Sequence, residues 1–171
     1  AIVHAVGASG SRSHFDAMDY MERGTPGMKT TASGWVNRHL ESAAWKNDSP
    51  FRALGMGAML QSSLRGAVST LALKSISAFH LNGREDQLDT ILAGIAGAYT
   101  IQAPQDELQR EAAQVYAAMR ILNSINPDSY TPENGAEYPD TDFGNGLKQV
   151  AMLIKADLGL EVACVDLGGW D

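Results

Sequence analysis

The chain has a single cysteine, Cys164, in 171 residues, so no disulfide can form within it. Basic residues are scarce: 13 Lys and Arg stand against 20 Asp and Glu, for a net charge of −7. That balance excludes a generic nucleic-acid coat, whose phosphate contacts need a basic stripe. Long apolar runs are missing as well. Stretches such as Val150 to Ile154 fall far short of the about 20 residues that cross a bilayer. The first residues hold neither a basic segment nor the apolar core of an export signal. Several sequence signatures are absent or broken. Gly55-Met56-Gly57 lacks the third glycine of a dinucleotide fingerprint, and Lys29, Lys46, Lys74, Lys148 and Lys155 all lack the glycine-rich lead-in of a phosphate loop. Gly7-Ala8-Ser9-Gly10-Ser11 misses the last glycine of a nucleophile elbow.

What is present can fold. Hydrophobic residues are 44% of the chain and charged residues 19%, enough apolar side chain to bury a core, which excludes intrinsic disorder. The length suits one domain, 1–171. Ile2 to Val6 reads as a strand already under way, and the chain stops just after another strand. Both ends read as cuts through a fold, so the chain is expected to be a fragment, incomplete at both ends.

Alternation of strands and helices predicts an α/β layered fold, a mainly parallel sheet flanked by helices. His14 to Arg23 is expected to be a helix, with Ser13 as its N-cap, Asp16 three residues on, and Gly24 and Pro26 ending it. Ser33 to Trp45 reads as a second helix. Phe51 to Met59 and Val68 to Leu73 read as strands, and Ser75 to Leu81 alternates like an extended segment. The clearest helices are Arg84 to Tyr99, Gln105 to Asn123 and Gly146 to Leu158. Their expected inner faces include Leu88, Ile91, Leu92, Ile95, Val115, Met119, Val150 and Ile154. Asn126 to Asp140 reads as a long loop. Glu161 to Leu167 is the last strand, apolar enough for a central parallel one, and it makes Cys164 a buried structural thiol.

Two clusters carry chemistry. The first is Ser11-Arg12-Ser13-His14-Phe15-Asp16-Ala17-Met18-Asp19, which follows a strand and opens a helix. A hydroxyl among the free N–H groups of a helix start suits an anion or an ionised nucleophile. Arg12 would add charge for an oxyanion, and His14 and Asp16 are candidate metal ligands or groups that orient them. The plainer reading makes Ser13 a cap and His14 and Asp16 first-turn decoration. The second cluster is Asp166-Leu167-Gly168-Gly169-Trp170-Asp171, two acids at a strand's carboxyl end. Ligands gather at that edge in open α/β sheets. The alternative is a strand-ending turn with solvated carboxylates.

At these clusters the chain resembles the bacterial family known as domain of unknown function 1501. The matching runs are Ala1 to Gly7, Ser11 to Tyr20, Gly34-Trp35-Val36-Asn37-Arg38, Leu64-Arg65-Gly66 and Val165 to Asp171, spread over the whole chain in the family's order. The resemblance implies an alkaline-phosphatase-like fold, with sulfatases and phosphomutases as distant relatives. It implies two divalent metals (zinc, manganese, calcium or magnesium) at the carboxyl end of the sheet and a metal-activated hydroxyl at a helix start. Ser13 sits in the nucleophile's context, and Asp171 in a ligand's. The family's Thr-His pair after that Asp, its upstream metal acid and its later Asp-His ligands are not in this chain. The resemblance also implies export from the cell.

The expected function is therefore part of an exported, metal-dependent hydrolase of phosphate or sulfate esters. Ser13 and Arg12 are its catalytic residues, and Asp171, His14, Asp16 and Asp166 its candidate ligands. Ser13 and Asp171 are expected within metal-bridging range. Two rivals stand beside it: a non-catalytic exported or surface binding protein that keeps the fold, and an intracellular α/β protein in which Ser13 only caps a helix.

Overall fold

The computed structural model describes residues 11–43, 47–79 and 129–169, together with positions 90, 93, 94, 97, 114, 115, 117–122 and 125. Among the described residues three short strands form a parallel sheet: β1 (Ala53–Met56), β2 (Leu71–Leu73) and β3 (Val162–Val165), in the order β2-β1-β3. Leu54 pairs with Leu71 on one side of β1 and with Ala163 on the other. The chain is of mixed α/β class. The Ile2 to Val6 segment lies outside the described residues.

β1 is buried along its whole length, the condition of a parallel strand covered on both faces. Successive side chains point to opposite faces of a strand. Leu54 and Met56 accordingly join one core cluster with Leu71, Leu73, Met152 and Leu153, while Ala53 joins another with Val36, Leu40 and Leu64. β3 obeys the same alternation. Its Ala163 and Val165 pack on the first cluster, and its Val162 and Cys164 on the second. All four β3 residues are half-buried, Cys164 included.

Helix α1 (His14–Arg23) has the expected bounds. Ser13 Oγ accepts the Asp16 N–H at 3.3 Å, and Gly24 ends the helix in the left-handed conformation that glycine adopts without strain. Helix α2 (Trp35–Ser42) is shorter than the expected Ser33 to Trp45, with Gly34 as its N-cap. A 3₁₀ turn over Ser62–Leu64 packs against both α1 and α2. Helix α3 (Asp142–Lys155) starts four residues before the expected Gly146, because Thr141 Oγ1 caps the Gly144 N–H at 3.1 Å.

Three expectations change. Residues 75–79 form a turn rather than an extended segment: Ser75 Oγ accepts the Ala78 N–H at 3.0 Å, and Gln149 Oε1 accepts the Ile76 N–H at 2.6 Å. Ile154 is 57% exposed, because the inward stripe of α3 runs one position earlier, through Gly146, a half-buried Val150 and Leu153. Val115 is 38% exposed, and core contact there falls to Ala118 and Leu122. Leu88, Ile91, Leu92 and Ile95 lie outside the described residues. The described positions within the two expected helices of that region are helical.

Two glycine contacts settle how α3 lies on the sheet. A Cβ on Gly146 would meet Val165 Cγ1 at 2.8 Å and Met56 Cβ at 3.6 Å, both at the carboxyl ends of their strands. At the other end of the helix, Asn47 Nδ2 donates to the Gly159 carbonyl at 2.7 Å, just before β1 begins. The helix therefore runs antiparallel to the strands, with its N-terminus at their carboxyl edge.

Candidate functional site

The parallel strands place Met56, Leu73 and Val165 at one edge, with Gly57, Lys74 and Asp166 immediately beyond. After β1 the chain moves to β2 on one side, and it later reaches β3 on the other. The carboxyl ends of β1 and β3 thus flank a switch in winding direction, where open α/β sheets bind ligands. Asp166 lies there, exposed, and Gln61 Nε2 donates to its Oδ2 at 2.9 Å. The Gln61 side chain fits because residue 55 is glycine: a Cβ at Gly55 would stand 2.0 Å from Gln61 Oε1. That oxygen is buried, and it has no hydrogen-bond partner among the described residues. The pairing spans 105 positions, and no motif in the sequence marked Gln61 as the residue that holds Asp166.

The Ser13 cluster forms a second locus. Ser11 Oγ accepts the Ser13 N–H at 3.0 Å and donates to Asp16 Oδ2 at 3.4 Å. Lys29 pairs with the Asp16 carboxylate. The Lys29 hydrogen bond holds the Asp16 carboxyl below its usual range, and Asp16 in turn raises the Lys29 ammonium. Arg12 and His14 are exposed. The structure therefore brings Ser13 and Asp16 together at the start of α1.

The other end of α1 faces the sheet. Glu22 Oε2 accepts the Ser63 N–H at 3.1 Å, and the Ser63 hydroxyl lies against Cys164. Burial pushes the Cys164 thiol up, with the Ser63 contact opposing that shift. Nine residues separate Ser13 from Glu22, roughly 13 Å along a helix axis. Asp171, the proposed partner of Ser13, lies outside the described residues.

Among the described residues no three His, Cys, Asp or Glu side chains gather as metal ligands do. The Asp16 carboxylate already carries the Lys29 ammonium, so a cation there would compete with it. Asp166 is exposed at the carboxyl edge and is held by the uncharged amide of Gln61, which suits a ligand better.

Two of the sequence runs quoted above meet in space. Asn37 is fully buried in α2. Its Nδ2 donates to the Leu64 and Val68 carbonyls, both at 2.8 Å, and its Oδ1 accepts the Val68 N–H at 3.0 Å. Gly34 N–H donates to the Arg65 carbonyl at 2.8 Å. Gly34-Trp35-Val36-Asn37-Arg38 and Leu64-Arg65-Gly66 thus form one structural unit beneath the sheet.

A cavity of about 600 Å³ opens on the opposite face, between the carboxyl ends of β1 and β2 and the first turns of α3. Sequence patterns gave no sign of it, since its lysines come from unrelated segments. No helix among the described residues is long and apolar enough to cross a membrane. Comparison with protein-family models, with curated proteins and with solved structures finds no match for this chain.

Proposed function

We propose that this chain forms part of an exported, metal-dependent hydrolase of phosphate or sulfate esters, with an alkaline-phosphatase-like fold and Ser13 as its nucleophile. The observation that carries this reading is the seat of Ser13. Its hydroxyl stands at the first turn of a ten-residue helix and accepts a backbone N–H there. An N–H aimed at that oxygen, together with the helix's positive end, favours the alkoxide over the alcohol. Capping and nucleophilic attack are therefore compatible uses of one oxygen. The parallel sheet with Asp166 at its carboxyl edge supports the same reading, and export rests on the family resemblance alone.

In this reading Ser13 Oγ loses its proton and bonds to the phosphorus or sulfur of the ester. The bond from that atom to the ester oxygen breaks, and the departing oxygen takes the electron pair and a proton. Water then hydrolyses the serine ester and restores the hydroxyl. Exposed Arg12 is free to reach an equatorial oxyanion. A divalent ion, when bound, would supply Lewis acidity and lower the hydroxyl's pKa. Asp166, at the sheet's carboxyl edge, and Asp171, by the family resemblance, would be the residues of this chain to hold it.

Two observations favour a second reading, a binding protein that keeps the fold without catalysis. Asp16 is already neutralised by Lys29, and Ser13 already has the partner a cap needs. Turnover of phosphate and sulfate esters separates the two. Ser13→Ala should remove hydrolysis by several orders of magnitude, and a chelator should mimic it. Equal turnover by wild type and Ser13→Ala would reject Ser13 as nucleophile.

A further inference from the structure

The cavity at the carboxyl edge of β1 and β2 has the make-up of an anion site. Lys74 enters it from the end of β2, and Lys148 from the second turn of α3. Neither ammonium has an ion-pair partner among the described residues, although the chain as a whole carries a net charge of −7. One carboxylate, Asp142, lines the same space. The Ser75 and Ser77 hydroxyls, 3.2 Å apart, offer donors on the β2 side. Asn145 and Gly146, in the first turns of α3, form the opposite wall. That wall is the positive end of a 14-residue helix.

The cavity is also built rather than incidental. Gln149 accepts the Ile76 N–H at 2.6 Å, and its amide donates to the Asn145 carbonyl at 3.2 Å. This one side chain ties the Ser75 turn to α3. Ile76 is buried, so the turn is anchored from beneath as well. Met56 and Met152, both buried, give the cavity an apolar floor. About 600 Å³ is the size of a small organic ligand, not of a bare ion.

We propose that this cavity binds a small organic molecule through its phosphate or sulfate group, with Lys74 and Lys148 clamping the oxyanion and the methionine floor taking the apolar part. The site lies on the α3 face of the sheet, whereas α1 packs through the Ser62–Leu64 turn on the α2 face. It does not depend on Ser13 being a nucleophile.

Calorimetric titration of the 171-residue chain with inorganic phosphate, sulfate, phenyl phosphate and phenol tests it. Phenyl phosphate should bind more tightly than phosphate, and phenol should not bind. Lys74→Gln and Lys148→Gln should each weaken phenyl phosphate by about tenfold, the usual worth of one charge-assisted hydrogen bond. Lys155→Gln, whose ammonium pairs with Glu133 away from the cavity, should bind as wild type does. The readout is binding rather than turnover, so failure of the nucleophile reading and failure of this one are separable. Acetylation footprinting of the wild type needs no variant: phenyl phosphate should protect Lys74 and Lys148 and leave Lys29 reactive. Phenyl phosphate binding unchanged in the doubly substituted chain, or protection of neither lysine, would overturn the proposal. Preference of phosphate over sulfate, or the reverse, identifies the oxyanion.

Discussion

Asn37 and Gly66 occupy each other's space: a Cβ added to Gly66 would stand 2.2 Å from Asn37 Oδ1. The glycine leaves room for a buried amide that satisfies three backbone groups of the 64–68 loop. Removing the amide strands the Leu64 and Val68 carbonyls and the Val68 N–H. Each buried group left without a partner costs about 1–3 kcal/mol, less whatever water reaches it. Asn37→Ala should therefore lower unfolding stability by about 2–4 kcal/mol in urea melts, with Gly66→Ala also destabilising. A change below about 0.5 kcal/mol in both would show that the loop does not depend on this contact.

The legible part of the fold was whatever carried a local signal. Ser13 and Gly24 gave the bounds of α1, since a capping hydroxyl and a left-handed glycine act within one turn. The apolar runs around β1, β2 and β3 marked the strands, though hydrogen-bonded pairing trims each run. Contact made by glycine was invisible. Gly146 carries the close approach of α3 to the sheet, and a residue without a side chain adds nothing to a hydrophobic stripe. The inner face of α3 was therefore read one position late. Long-range polar partners were equally hidden. Nothing near Asp166 points to Gln61, and nothing near Lys74 points to Lys148. Only the folded sheet edge brings them together.

Two glycines should be intolerant of any side chain. A Cβ at Gly34 would lie 2.1 Å from the Ser63 carbonyl oxygen, and one at Gly144 would lie 2.0 Å from the Pro139 carbonyl oxygen. Both obstacles are backbone, so a rotamer change cannot relieve them. Gly34→Ala and Gly144→Ala should each destabilise by about 1–3 kcal/mol or more, the range of core overpacking. Gly168→Ala makes the control, since a Cβ there meets nothing within 4 Å and its φ is not positive. Thermal melts of the three variants compare the effects directly. Equal melting temperatures for Gly34→Ala and wild type would contradict the close approach of α2 to the Ser62–Leu64 turn.

The Asp16–Lys29 pair fixes a direction of pH dependence. Asp16 is held below the usual aspartate range by the Lys29 hydrogen bond, so its folded carboxyl binds protons less readily than its unfolded one. Its contribution to stability is present above the unfolded pKa, about 3.9, and is lost as pH falls through the lower folded value. Lys29 is raised by the same partner, so its share is full below about 10.4 and fades as pH rises through the folded value. The pair is open to solvent, so salt should weaken it. Carboxyl carbon NMR should find Asp16 titrating below a free aspartate in wild type and moving upward in Lys29→Gln. An Asp16 midpoint that ignores the Lys29 substitution would remove the pairing.

Ser13 has two roles that one pair of substitutions can separate. Aspartate is as good an N-cap as serine, because its carboxylate oxygen also accepts a first-turn N–H and favours the helix's positive end. Alanine offers no acceptor. Ser13→Ala should therefore cost about 0.5–2 kcal/mol of stability, while Ser13→Asp should stay close to wild type. Catalysis ranks the variants differently. Neither alanine nor a capping aspartate supplies the hydroxyl that forms and releases a serine ester, so both should abolish ester hydrolysis if Ser13 is the nucleophile. Stability in denaturant and ester turnover then give two independent orderings. Wild-type stability with no turnover in Ser13→Asp would mark the hydroxyl as chemistry beyond its cap. Full turnover in Ser13→Asp would leave the serine as a helix cap alone and return the function to the binding-protein reading.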